Sequence, residues 1–261
     1  MDKHQATPTV VAIASPHHRK RDVRSFWTWV LALAAPIPFL ALAANIWLLP
    51  SDLRADLPAQ LLGVAAHPDP MQAALWLSLV FAVSAVPAVI AVAWSSRRDA
   101  PWLSLIGGVI GIVAFAEAGV GAHTDLLAVI GVTEHLGTSQ IVSVNDGVTE
   151  HPAGQIGMLV FLIGQAVSLI LLGIAMWRTH LAPRWMGILL AVSGPAHLLT
   201  PGGNVGAATS WLLTAVGCVG ASIALLRTSN DAFDLPPETA PQLQEHENPS
   251  PPTHSLRTRT S

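Results

Sequence analysis

HPAGQIGMLVFLIGQAVSLILLGIAMW, residues 151–177, decides the fold. From Gln155 to Trp177 it contains no charged side chain. A helix needs about 20 consecutive apolar residues to cross a hydrocarbon core, and this stretch supplies them. It closes on Trp177 and Arg178. Indole prefers the headgroup level, where its ring stays in apolar surroundings and its N–H is hydrated. The stretch reads as a transmembrane helix with a defined end.

Working outward, five more apolar runs appear, at 26–49, 71–94, 102–122, 184–201 and 205–227. With 155–177 they make six spans. The whole chain agrees: of 261 residues, 51% are hydrophobic and 11% charged, and mean hydropathy is +0.51. Soluble domains carry about 25% charged residues. The expectation is an all-α integral membrane protein, with the lipid bilayer as its surroundings. Cys218 is the only cysteine, which excludes an internal disulfide and any zinc site built on several thiolates. The net charge of −3 gives no sign of nucleic-acid binding. Arg outnumbers Lys, Ala, Gly and Pro are abundant and Tyr is absent. That bias suits a GC-rich bacterial genome, so the expected location is the bacterial cytoplasmic membrane.

Charge placement orients the spans. Lys3, Arg19, Lys20, Arg21 and Arg24 precede the first span. Arg97 and Arg98 follow the second, Arg178 and Arg184 the fourth, and Arg227, Arg257 and Arg259 the sixth. Alternate connections carry only Arg54. By the positive-inside rule both termini are cytoplasmic, as an even number of crossings also requires. A competing reading takes the basic start, the apolar run and ALA at 41–43 as a cleaved signal peptide. The run's length, continued by Asn45-Ile46-Trp47, favours an uncleaved helix.

The opening stretch has a counterpart. HPDPMQAALWLSLVFAVSAVPAVIAVAW, from His67, also opens on His-Pro and ends at a Trp, Trp94. A basic turn follows each, then Ala-Pro at 100–101 or 182–183, then a second Trp, Trp102 or Trp185. Spans two–three and four–five therefore read as a parallel duplicated helical hairpin, its copies related about the membrane normal. GVTEH, present at 131–135 and again at 147–151, is not part of this repeat. Its first copy falls in an external stretch, 123–150, that the other hairpin lacks.

Candidate chemistry is sparse. Glu117 lies about 15 residues into span three, ~22 Å along it. A charge at bilayer depth costs ~2.5–3.5 kcal/mol on insertion scales, so its expected place is the bundle interior beside span five. His197 follows Pro195, whose missing N–H frees a carbonyl. It reads either as a core histidine or as the lining of a polar cavity with Glu117. Gln165 and Asn45 are cavity candidates too, or interhelical hydrogen-bonding groups. His123, His67 and His151 are candidate metal ligands beside an external vestibule. Their spacing matches no recognised metal motif, and a solvated His-rich loop is the competing reading. No cofactor is indicated. Residues 1–25 read as a basic cytoplasmic segment, 26–227 as the membrane domain, and 228–261 as a disordered Pro-rich cytoplasmic tail.

The six-span layout and the short APRW turn at 182–185 resemble an uncharacterised family of bacterial multipass membrane proteins with a domain of unknown function. The resemblance implies a fold and a membrane location, and no active-site residues. Three functional readings stand: a small-molecule-binding or transport-related protein with a polar cavity in the outer half; an intramembrane metal-dependent enzyme using Glu117 with His123 and His197; and a structural or regulatory membrane subunit.

Overall fold

A computed structural model describes residues 23–199, 203–229 and Phe233, without the side chains of 118–124. Residues 1–22 and 234–261, which hold most of the expected basic segment and tail, lie outside the described residues, as does the side chain of His123.

The described residues form ten helices and no strand. Helices α1 (Arg24–Ala34) and α2 (Ile37–Leu48) make one apolar segment interrupted at Pro36, which has no N–H to carry the helix ladder onward. Helix α3 (Leu57–Ala66) is capped by Asp56, whose side chain accepts from the Ala59 amide. Then come α4 (Pro68–Ser96), α5 (Pro101–Ala116), α6 (Ala118–Thr133), α7 (Thr138–Glu150), α8 (Pro152–Arg178), α9 (Arg184–Leu199) and α10 (Gly203–Arg227). Proline stands at the first helical position of α4, α5 and α8, where its missing donor costs nothing.

Six of these close a ring in chain order: α2 packs on α4, α4 on α5, α5 on α8, α8 on α9, α9 on α10, and α10 back on α2. Tight turns at 97–100 and 179–183 mark one end of the bundle. At the other end α3, α6 and α7 pack together as a cap around Leu61, Val64, Met71, Ala128 and Ile141. Arg97, Arg98, Arg178, Arg184 and Arg227 all fall at the turn end, with Trp94, Trp102, Trp177 and Trp185.

Four segments are long and apolar enough to cross a membrane: Arg24–Leu48, Pro68–Ser96, Pro152–Arg178 and Gly203–Arg227. Two of the six expected spans are shorter. Helices α5 and α9 have 16 residues each, ~24 Å at 1.5 Å per residue. The expected third span, 102–122, breaks at Glu117. Its amide reaches only to the Ala114 carbonyl, three residues back, and Gly119 and Gly121 follow. The expected external loop is also corrected: 123–150 is mostly the helical cap. Side chains on the bundle's rim face outward and apolar, with Leu199 77% and Trp102 73% exposed. Such a surface fits a membrane protein.

The helix bounds follow the two His-Pro landmarks. Helices α4 and α8 start at Pro68 and Pro152, and their partners α5 and α9 are equal in length. Backbones approach most closely between α8 and α9. A Cβ on Gly187 would stand 2.5 Å from the Trp177 amide nitrogen and 2.8 Å from the Gly173 carbonyl oxygen; one on Gly194 would stand 2.6 Å from the Ala166 carbonyl oxygen. Small residues permit such crossings inside a membrane.

Candidate functional site

Each stave of the ring contributes one aromatic side chain to its centre. Phe39 of α2 stacks on Trp211 of α10 at 5.9 Å and meets Phe115 of α5 edge-on at 5.7 Å. Phe81 of α4 contacts Phe115 and Trp211 at 6.2 and 5.8 Å. Phe161 of α8 meets Phe115 at 6.1 Å. His197 of α9 lies 3.9 Å from Trp211, centroid to centroid. Phe39 and Phe115 are almost fully buried. Offset and edge-to-face pairs of this kind add roughly 0.5–1.5 kcal/mol each beyond burial. The middle of the bundle is a packed aromatic plug.

His197 is the polar member of this cluster. Its Nδ1 lies 2.7 Å from Ser210 Oγ and its Nε2 3.0 Å from Thr214 Oγ1. Both partners come from α10, one helical turn apart, so they share a face. The sequence S-W-L-L-T at 210–214 carries that pattern, but within an apolar run two hydroxyls do not declare a partner. Asn45 ties α2 to α4: its side-chain amide donates to the Ala74 carbonyl at 2.8 Å and contacts Ser78 Oγ at 2.9 Å. Gln165 is 1% exposed, and its carbonyl oxygen has no partner among the described residues.

Glu117 stands at the α5–α6 break, half-buried, and lies beside α8: its Oε2 is 3.2 Å from where a Cβ on Gly157 would be. The neighbour expected from the sequence was span five, which is α9. The difference follows from the packing: α5 lies on α8, and Glu117 continues the face on which Gly107, Gly111 and Ala114 meet Leu171, Ser168 and Gly164. His67 ends α3 and precedes α4; His151 ends α7 and caps α8, its Nδ1 accepting from the Ala153 amide at 3.2 Å. Both are exposed. Among the described residues no three His, Cys, Asp or Glu side chains gather as a metal site.

Two grooves were not legible in the sequence. One, of about 300 Å³, runs between α2 and α10 and is lined by Leu40, Ala43, Ala44, Trp47, Ala208, Thr209 and Leu212. The other, of about 360 Å³, lies in the cap. Its apolar walls are Pro58, Leu61, Leu62, Ala65, Val132, Leu136 and Ile141, and its polar groups are His135 and Thr138. Helix α6 ends at this groove. The Leu136 amide bonds the Gly131 carbonyl at 2.9 Å and the His135 amide bonds Val132 at 3.3 Å, the paired closure of a Schellman turn. Such turns usually place glycine in the left-handed position. Here His135 occupies it, at φ 55°.

A closed helical ring with an apolar rim, an aromatic centre and four helices long and apolar enough to cross a membrane fits a membrane protein. The chain belongs to the family described as Domain of unknown function (DUF4386), which matches residues 27–227. Comparison with curated proteins and with solved structures returns no match to either.

Proposed function

We propose that this is a six-crossing protein of the bacterial cytoplasmic membrane that binds a small amphiphile in the groove of its outer cap. The ring closes in chain order and the basic residues gather at its turn end, which supports an inner turn end, cytoplasmic termini and an outer cap. Crossings α5 and α9 are then the short pair, and the two hairpins are copies of one unit.

The observation that carries the binding reading is His135. A left-handed backbone costs a non-glycine residue roughly 1–2 kcal/mol. Strain of this sort concentrates where a side chain is needed in place. Here it sets an imidazole at the rim of an apolar groove within the ~300–1,000 Å³ range of ligand sites. The groove suits an apolar body against Leu61 and Ile141 and a carboxylate or similar head at His135 and Thr138. A transport path through the ring centre would first have to displace the aromatic plug. The metal-enzyme reading needs His197, whose two nitrogens already face Ser210 and Thr214.

Decanoate is a fitting probe. In lipid nanodiscs it should give saturable shifts of the Gly131 and Gly137 amides by NMR, abolished by Ala65→Trp, which fills the groove. His135→Gly should raise the unfolding temperature and weaken binding together. Binding that is non-saturable, or indifferent to both substitutions, would remove the reading.

A further inference from the structure

His197 sits within one turn of the outer end of α9, and its hydrogen-bond geometry can be counted proton by proton. A hydroxyl has one hydrogen. The Ser210 hydroxyl donates to the Ala207 carbonyl at 2.8 Å, and the Thr214 hydroxyl to the Ser210 carbonyl at 3.1 Å. Where those hydrogens stay on their own helix, both oxygens turn lone pairs toward the ring. They lie 2.7 Å from Nδ1 and 3.0 Å from Nε2.

A neutral imidazole has one N–H and one lone pair. It satisfies one of these contacts and leaves the other lone pair against lone pair, unless a hydroxyl abandons its carbonyl. An imidazolium, with two N–H donors, satisfies both contacts and leaves both back-bonds intact. The indole of Trp211 adds its electron-rich face, 3.9 Å away and tilted by 32°, a placement that favours a cation.

We propose that His197 is a proton-binding site in the outer half of the bundle, its imidazolium held by Ser210, Thr214 and the Trp211 ring. It works without a carboxylate counter-ion. Of the helices packed on α9, α8 carries only Arg178, at its inner end, with His151 at its outer cap. Helix α10 carries Cys218, one turn inward of Thr214, and Arg227 at its inner end. The carboxylate of Asp52 stands beside Gly203 at the start of α10, about two turns above Ser210. On α9 itself the other charge is Arg184, at the inner end. Desolvation by the bundle opposes the charge; in the proposed state two acceptors and an indole face act against that penalty. Proton uptake here would place one unit of positive charge in the outer half of the membrane, close to the α9–α10 turn.

Solid-state NMR of ¹⁵N-histidine-labelled protein in bilayers reads the protonation of each ring nitrogen directly, with His197→Gln identifying the signals by subtraction. At pH ~5.5, about one unit below an unperturbed imidazole, both His197 nitrogens should be protonated. Ser210→Ala and Thr214→Val should each restore an unprotonated nitrogen at that pH. An unprotonated nitrogen in the wild-type protein at pH ~5.5 would overturn the proposal. So would an imidazolium that survives both substitutions, which would show that the hydroxyls do not hold it.

Discussion

Gly187 and Gly147 differ in what surrounds their missing side chain. At Gly187 a Cβ would meet the backbone of α8, with the Trp177 nitrogen at 2.5 Å; at Gly147, inside α7, nothing lies within 4 Å. Gly187→Ala must push two helices apart and should destabilise the bundle by ~1–3 kcal/mol. Gly147→Ala adds only helix propensity and should stabilise by up to ~1 kcal/mol. Thermal unfolding in detergent distinguishes them; equal effects would contradict the α8–α9 packing. At this scale the sequence declares polarity but not partners. Asn45 is legible as an interhelical hydrogen-bonding group, because an amide in an apolar run has few other ways to be satisfied. Its attachment to Ala74 and Ser78 is not legible. His197 is equally visible as a polar residue, yet Ser210 and Thr214 are hidden by the apolar run around them. Glu117 is visible by its depth, and its neighbour is missed because nothing in an apolar run says that α5 packs on α8.

The elements divide by how they announce themselves. Helices α4, α8 and α10 and the α1–α2 segment are read from length and hydropathy alone. Helices α6 and α7 are not, because His, Asp and Glu dilute their apolar stripe. The stripe is present: Ile141, Val144 and Val148 follow helical spacing along α7. GVTEH takes its meaning here. Both copies end a helix, α6 at Thr133 and α7 at Glu150, but only Gly131 is pressed against a neighbour, Ile141. Asp125 of α6 gives the cap a pH signature. Burial pushes its carboxyl up from 3.8 to about 6. A group whose pKa is raised on folding stabilises the fold below its unfolded value, and that contribution is lost as pH rises through the folded value. Hydrogen exchange of α6 amides should therefore quicken between pH ~4 and ~6, after correction for intrinsic rates. Asp125→Asn should flatten that dependence. A wild-type cap that tightens over the same range would contradict the burial of Asp125.

On the scale of the whole molecule, six staves close in chain order, and four of them are announced by length and hydropathy. The layout was legible to that extent. The aromatic plug was not, since a phenylalanine in an apolar run does not say whether it faces lipid or centre. Phe233 is a further case: it falls in the polar tail, yet it is buried, packs on Trp94 at 5.8 Å and takes the Arg97 guanidinium on its carbonyl. The central claim is that the α3–α6–α7 cap and the tight-turn end lie on opposite sides of a membrane, cap outward. Cysteine accessibility in intact cells tests it, in a Cys218→Ala background. Gly137→Cys reports the α6–α7 turn. His180→Cys reports the α8–α9 turn, where His180 is exposed and the adjacent Thr179 is wholly buried. An impermeant maleimide should label position 137 in intact cells and position 180 only after permeabilisation. Labelling of 180 from outside, or of both positions from one side, would contradict the account.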